Sequence, residues 1–247
     1  MNKKGRIIVL LLILVVIVVA VKTFISLNTI YFGSNTKAIV IGNKIIKKNN
    51  YSKILLKKVN YYKGGKKFKG YLKSTKDDIG YSYYVVSSNN KKNVIKDLVV
   101  AGSMVKLDFV SSSNYETSID ETNLKKINDV LDLSLESKNV VEYKNISFDI
   151  DNDETKENVI YIRYLVGNIR TTKIFVIDND DAIDLVELEF DYSDIANSSN
   201  KVYYISDVVD INNDGKYEII IGRIDGDSQP TYYDIYSYEN GSIKEIK

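Results

Sequence analysis

The sequence contains the same acidic segment twice, 61 positions apart. Residues 149–157 read Asp-Ile-Asp-Asn-Asp-Glu-Thr-Lys-Glu, and residues 210–218 read Asp-Ile-Asn-Asn-Asp-Gly-Lys-Tyr-Glu. Agreement at the segment and on both of its flanks indicates a duplicated structural unit. A unit that reads strand, acidic loop, strand predicts an antiparallel sheet. The same offset aligns four flank positions in each copy: Val141, Tyr143, Ile160 and Ile174 with Val202, Tyr204, Ile221 and Ile235.

Each copy is predicted to continue into a β-hairpin after its second strand. The polar segment 178–181 aligns with Glu239-Asn-Gly241 of the other copy. We therefore interpret it as a hairpin turn and not as a third metal site. The predicted hairpins comprise strands 173–177 and 183–188 in the first copy, and strands 232–238 and 243–246 in the second.

Oxygen-bearing side chains fall at positions 1, 3, 5 and 9 of both acidic segments. This spacing suits a hard cation such as calcium, which takes six to eight oxygen ligands. Gly215 would supply a sharp bend in the second loop, which makes that loop the stronger candidate. An EF-hand is a poor fit because Ile221 stands where its twelfth-position Glu belongs. The candidate ligands are Asp149, Asp151, Asp153, Thr155 (through its carbonyl) and Glu157, and Asp210, Asn212, Asp214, Lys216 (through its carbonyl) and Glu218.

The second loop and the strand behind it, residues 210–221, resemble the calcium loops of FG-GAP/VCBS-type repeats, the blades of integrin-α-like β-propellers. The first loop departs from that pattern because Glu154 replaces the glycine. The resemblance covers residues 141–247 and implies calcium held between two strands of each blade. A closed propeller needs about four or more blades, so we expect the two units to pack as paired sheets.

The composition restricts the chemistry available to this chain. It has no cysteine and no histidine, which removes the thiol nucleophile and the usual general base near neutral pH. Any metal should be one that accepts oxygen ligands. We predict a non-catalytic protein. The alternative is a hydrolase that uses a carboxylate pair or a Ser–Lys pair, for which the spaced pairs are Ser34 with Lys37 and Ser198 with Lys201.

The N-terminus predicts a membrane anchor in residues 1–29. Lys3, Lys4 and Arg6 precede an apolar run over residues 7–21, which resumes beyond Lys22. The positive charges predict that the N-terminus stays inside, with residues 30–247 outside a cell membrane crossed once. The alternative is a secretory signal cleaved after Ala20, which would release a secreted protein.

Charge is divided unequally along the chain. Residues 37–106 hold 17 lysines against three acidic residues, whereas residues 107–247 hold 30 acidic and 13 basic residues. The basic part could bind anionic lipid or an anionic surface polymer, could bind nucleic acid, or could be a solvated face that pairs with the acidic part. We expect as partners the membrane and a protein or anionic surface polymer, and we do not expect nucleic acid.

The predicted fold is mainly β with one helix (α+β). It comprises an N-terminal transmembrane helix and a β-rich exported region that ends in two blade-like antiparallel sheet repeats. The segments are 1–29, a basic β-rich region 30–116, a helical segment 117–137 and the repeats 138–247. Basic-region strands are predicted at 37–41, 51–59, 80–87 and 99–110.

Within the helical segment, a helix over residues 119–135 is predicted to begin at a capping box of Ser118 and Glu121. The predicted function is a membrane-anchored, extracytoplasmic binding module stabilised by calcium. The alternative is an envelope assembly component that acts through its anchor.

Overall fold

The structure is a computed structural model that describes residues 3–32, 36–49, 58–63, 66–77, 80–87, 92–94, 99–102, 105–193, 201–225 and 231–247. As predicted, the protein is mainly β with antiparallel sheets, and it has two α-helices. The chain divides into two compact units, residues 1–106 and 107–247. The predicted helical segment and both repeats lie in the second unit.

Helix α1 spans Lys3–Leu27, where the sequence predicts the anchor. Its described side chains are exposed along most of its length, with Leu10 and Val16 each 65% exposed. We predicted a transmembrane helix here. Among the described residues, no helix has both the length and the apolar content that are needed to cross a membrane.

The first unit is built on one eight-stranded sheet in the order β3-β2-β1-β8-β4-β5-β6-β7. Two of its strands, β2 and β6, lie where strands were predicted, and residues 51–57 of a third predicted strand lie outside the described residues. The sequence analysis missed β5, whose lysines obscured its alternation. The strands are β1 Thr29–Phe32, β2 Thr36–Ile41, β3 Lys44–Asn49, β4 Lys58–Lys63, β5 Lys66–Asp77, β6 Gly80–Ser87, β7 Lys92–Val94 and β8 Val99–Ala101.

The prediction of one long strand over residues 99–110 is wrong. The segment forms β8, which pairs with β1 and β4 in the first unit, and β9 at Asp108–Phe109, which pairs with β15 at Lys201–Asp210 in the second. The break falls at the boundary between the two compact units. Apolar residues on both sides favoured one strand, but Gly102 and Ser103 between them are the signal in the sequence that marks the break.

The second unit contains two antiparallel meanders of four strands that repeat at the predicted offset. Strands of the two meanders start 61 positions apart at three of the four places, namely 140 and 201, 157 and 218, and 181 and 242. Each meander gains one short strand at its edge, β10 in one sheet and β9 in the other. The further strands are β10 Tyr115–Glu116, β11 Val140–Phe148, β12 Glu157–Val166, β13 Ile169–Asp178, β14 Asp181–Asp191, β16 Glu218–Asp225, β17 Thr231–Glu239 and β18 Ser242–Glu245.

The two sheets pack against each other through non-equivalent faces. Ile221 of β16 lies in the core between the sheets, but its equivalent Ile160 of β12 lies in a second core on the far side of the first sheet. Conversely, Val159 lies between the sheets. Successive strand residues face opposite sides, so the repeats stack front to back and do not form a symmetric face-to-face sandwich.

Helix α2 spans Glu121–Leu131 and covers the outer face of the first sheet with Leu124 and Ile127. The predicted capping box and the predicted extent to residue 135 are both wrong. Asp120 is the N-cap, and its side chain accepts a hydrogen bond from Asn123 N at 2.7 Å. The helix ends at Asp132, which adopts a left-handed conformation (φ 51°). A short polar side chain tolerates that conformation better than most.

Candidate functional site

The first acidic loop joins β11 to β12 and is closed by its own side chains. The Asp149 carboxylate accepts hydrogen bonds from the N–H groups of Asp153 at 3.1 Å and Glu154 at 3.0 Å. Asn152 and Glu154 take positive φ values of 62° and 75°. Such left-handed residues are uncommon outside glycine, and here they let a short segment curl around one carboxylate.

Glu157 closes the end of the loop from the first residue of β12. It is 1% exposed, and its Oε2 accepts the N–H of Ile150 at 2.7 Å. Burial raises the pKa of Glu157, and the Ile150 N–H opposes that rise. The Thr155 hydroxyl and N–H donate to Asp153 and lower the pKa of that exposed carboxyl. The loop therefore presents ionised oxygen at position 5 and a constrained carboxyl group at position 9.

Three carboxylates converge in this loop. One oxygen each from Asp149, Asp151 and Asp153 lies within 4.8 Å of the other two. Asp151 is only 6% exposed; its Oδ2 accepts the N–H of Asn240 at 2.8 Å, while its buried Oδ1 accepts no hydrogen bond from any described residue. A buried carboxylate oxygen without a donor is costly. An oxygen-binding cation would satisfy it, and the residues present fit such an ion.

The second acidic loop has the same backbone frame. Asp210 accepts the N–H of Gly215 at 3.0 Å, and Glu218 accepts the N–H of Ile211 at 2.9 Å, as their equivalents do in the first loop. Gly215 takes φ 86°, where Glu154 takes 75°. The bend that glycine was expected to supply is thus made in both loops, at a higher conformational cost in the first.

The side chains of the second loop bond to one another instead of converging as three carboxylates. Asn212 Nδ2 donates to Asp214 at 2.8 Å, and Asn212 Oδ1 accepts the Asp214 N–H at 3.2 Å. Within the described part of the chain, only the first loop brings three carboxylates together. The sequence favoured the second loop because of Gly215, and that preference stays a prediction, since the amide of Asn212 at position 3 can also offer an oxygen.

The remaining candidate ligands of the second loop have other partners. Burial and the neighbouring Asp214 and Asp210 carboxylates raise the pKa of Glu218 to about 8, and the Ile211 N–H acts against them. The Lys216 ammonium pairs with the Glu239 carboxylate of the following hairpin. The Lys216 side chain thus ties the loop to that turn.

The first loop also contacts the second repeat. The Ile150 carbonyl accepts the N–H of Tyr217 at 2.8 Å. The Tyr217 ring meets Phe148 edge-on with centroids 4.8 Å apart, and its hydroxyl donates to Asp108 at 3.1 Å. Together with the Asn240 contact to Asp151, these bonds fix the carboxylate cluster from outside its own segment.

A second group of polar side chains, half-buried, lies near the edges of the two sheets and was not predicted from the sequence. The Lys144 ammonium donates to the Ile205 carbonyl at 3.2 Å and lies 4.7 Å from the Tyr115 ring centroid. Ser206 donates to Asp207 at 2.9 Å. Burial lowers the pKa of Lys144 and raises that of Asp207 to about 6. The signal in the sequence was a charged residue inside a strand, namely Lys144 in β11 and Asp207 in β15.

Asp207 should give the stability a specific pH dependence. Its pKa is about 6 in the folded protein against 3.8 ordinarily. The folded state therefore holds the extra proton between these values, and this contribution to stability falls as the pH rises through that window. Relative to the wild type, Asp207→Asn should gain about 1–3 kcal/mol between pH 4 and pH 7. Urea unfolding across this range measures the difference. A constant difference, like that expected for the exposed Asp180→Asn, would contradict the assignment.

Comparison with protein-family models, with curated proteins and with solved structures finds no match to this chain. Of the two Ser–Lys pairs considered for a hydrolase, Ser34 and Ser198 lie outside the described residues.

Proposed function

We propose that this protein is a non-catalytic binding module whose first acidic loop holds a calcium ion. The observation that carries the proposal is the convergence of Asp149, Asp151 and Asp153, one of which buries an oxygen without a hydrogen-bond donor. An ion at this point would compensate three like charges and join the loop to the hairpin turn that holds Asp151. Its role is to stiffen the junction between two strands.

Calcium suits the loop better than other oxygen-binding ions. Its coordination is wide and adaptable, whereas magnesium requires near-ideal octahedral geometry and retains several waters. Carbonyl oxygens such as that of Thr155, and water, would complete the shell around the three carboxylates. The chain offers no imidazole or thiolate to favour zinc or copper.

The stacking of the repeats supports their relation to FG-GAP/VCBS-type blades. Blades of a propeller follow one another around an axis, so each packs its front on the back of the next. The two meanders pack in this way. Ile221 faces the core between the sheets, whereas its equivalent Ile160 faces the second core on the other side of the first sheet. We infer that the second unit is a short blade pair with α2 closing its free front face.

Thermal unfolding tests the calcium proposal. At calcium about tenfold above its dissociation constant, binding should stabilise the folded state by about 1.4 kcal/mol. For a unit of this size, that is a rise in melting temperature of about 2–5 °C. Magnesium at the same concentration should raise it less. Identical melts in calcium and in chelator would refute the proposal.

We also propose that α1 attaches the chain to a membrane, with residues 30–247 outside the cytoplasm. Its described side chains from Val9 to Ile25 are apolar or uncharged apart from Lys22, and most are exposed. Water is a poor solvent for such a surface. The lysines and arginine before the apolar run support the orientation.

Alkaline extraction of membranes from expressing cells tests this attachment. The full chain should stay with the membrane fraction, and the double variant Leu12→Arg, Val16→Arg should move to the soluble fraction because charge in an apolar helix is costly in lipid. Protease added outside intact spheroplasts should cut the wild-type chain. Release of the wild type by alkali, or protection from the protease, would contradict the proposal.

A further inference from the structure

One face of β5 carries a line of exposed lysines. Side chains alternate along a strand, so Lys67, Lys69, Tyr71 and Lys73 share a face, and Lys58 of β4 lies directly opposite Tyr71. All five are exposed, and Tyr71 is 50% exposed. We call Lys58, Lys67, Lys69 and Lys73 the lysine stripe.

The stripe concentrates positive charge along one direction. On β5, Lys67 and Lys69 are about 7 Å apart and Lys69 and Lys73 are about 13 Å apart, so the stripe extends over about 20 Å. Like charges at such positions repel. Residues 58–76 contain no acidic residue. No described carboxylate forms an ion pair with any lysine of the stripe. A partner that brings a row of negative charges along the strand would relieve the repulsion.

The opposite face of the same hairpin is more apolar and, on β5, partly buried. Gly70 and Leu72 are buried there, and Phe68 stacks on Tyr61 with centroids 5.2 Å apart. That face also carries exposed lysines, Lys63 and Lys66, but they sit opposite each other at the hairpin end. Strand β5 is thus buried on one face and presents the lysine stripe on the other, while Asn60 and Tyr62 of β4 are buried on the stripe face.

We propose that the lysine stripe binds a linear polymer with a phosphodiester backbone and no bases. Lysine ammonium groups act as point charges for oxyanions, whereas planar bidentate recognition needs arginine, and the stripe contains none. Single-stranded nucleic acid is held by stacking successive bases on several aromatic rings. On the stripe face, Tyr71 is well exposed, Tyr84 opposite Lys73 is half-buried, and Tyr62 is buried. Charge and spacing, not base stacking, are what this face recognises.

This inference names a partner class for the binding module and rests on that proposed function. It concerns the first unit, whereas the calcium proposal concerns a loop of the second. If the polymer does not bind, the rise in melting temperature with calcium is still expected. If calcium does not raise the melting temperature, polymer binding by the stripe is still expected, so the two results can be told apart.

Binding of poly(glycerol phosphate) to the full chain in non-ionic detergent tests the proposal. With four lysines engaged, log affinity should fall against log salt with a slope of about 3, at about 0.7 counterions per lysine. The triple variant Lys67→Gln, Lys69→Gln, Lys73→Gln should bind on the order of 100-fold more weakly, with a slope of about 0.7. Monomeric glycerol phosphate at equal phosphate concentration should not compete.

The matched control is the triple variant Lys44→Gln, Lys63→Gln, Lys66→Gln. It removes the same charge from exposed positions on the other face of the sheet and should bind like the wild type. If both triple variants lost affinity for poly(glycerol phosphate) equally, net charge alone would explain binding, and the proposal would be overturned. So would tighter binding of an oligothymidylate of equal charge, with dependence on Tyr71 (tested by Tyr71→Ser), or of polyglutamate.

Discussion

Replacing Ile221 with alanine is expected to lower the free energy of unfolding of the second unit by about 2–5 kcal/mol. Ile221 is fully buried in the core that both sheets share. Truncation removes buried methylene groups and leaves a cavity between the repeats. Because that core belongs to both sheets, amide hydrogen exchange should quicken in β12 as well as in β16.

Val202→Ala provides the control for this prediction. Val202 lies in β15 of the same repeat but is 39% exposed, so its truncation should change stability by about 0.5 kcal/mol or less. If Ile221→Ala quickened exchange in the second repeat alone, the repeats would be independent folding units, and the front-to-back stack would not be cooperative.

Asp151→Asn is expected to have opposite effects with and without calcium. In chelator, the variant should be more stable than the wild type by on the order of 1 kcal/mol. It removes a buried charge, and its amide can donate to the neighbouring Asp149 and Asp153 carboxylates, whose oxygens lie within 4.8 Å. In calcium at about 100 times its dissociation constant, the wild type should gain about 2.7 kcal/mol and the variant nothing.

Asp180→Asn removes the same charge from the exposed hairpin turn of the first repeat. It should behave as the wild type in both conditions, since exposed single charges contribute little. A variant Asp151→Asn that is less stable than the wild type in chelator, or that keeps its response to calcium, would contradict the role given to the unpartnered Asp151 oxygen.

The repeat was the part of the fold that the sequence specified best. Duplicated loops, apolar flanks and turn residues such as Asn179 and Asn240 reported local backbone geometry, and the structure places strands and turns accordingly. The stacking direction was not predictable in this way. It depends on which face of each sheet is covered, and strands such as β12 and β16, buried on both faces, show no alternation to read.

The sequence did not predict how the side chains within the two acidic loops are arranged, and the order of the loops as calcium sites stays a prediction. Gly215 made the second loop look more suitable, yet Glu154 reaches a similar positive φ without it. Part of the first loop's arrangement depends on a contact from the second repeat, in which the Asn240 N–H donates a hydrogen bond to Asp151. A neighbour 89 positions away in the sequence leaves no local pattern. For the same reason, the sequence did not predict the half-buried group of Lys144 and Asp207.

Calcium bound per chain, measured by equilibrium dialysis at about 1 mM free calcium, tests the central claim most directly. Asp153 and Asp214 occupy equivalent positions of the two loops, so Asp153→Asn and Asp214→Asn form a matched pair. The account predicts that the wild type binds calcium, that Asp153→Asn loses it and that Asp214→Asn retains it. No bound calcium in the wild type, or retention in Asp153→Asn, would contradict it.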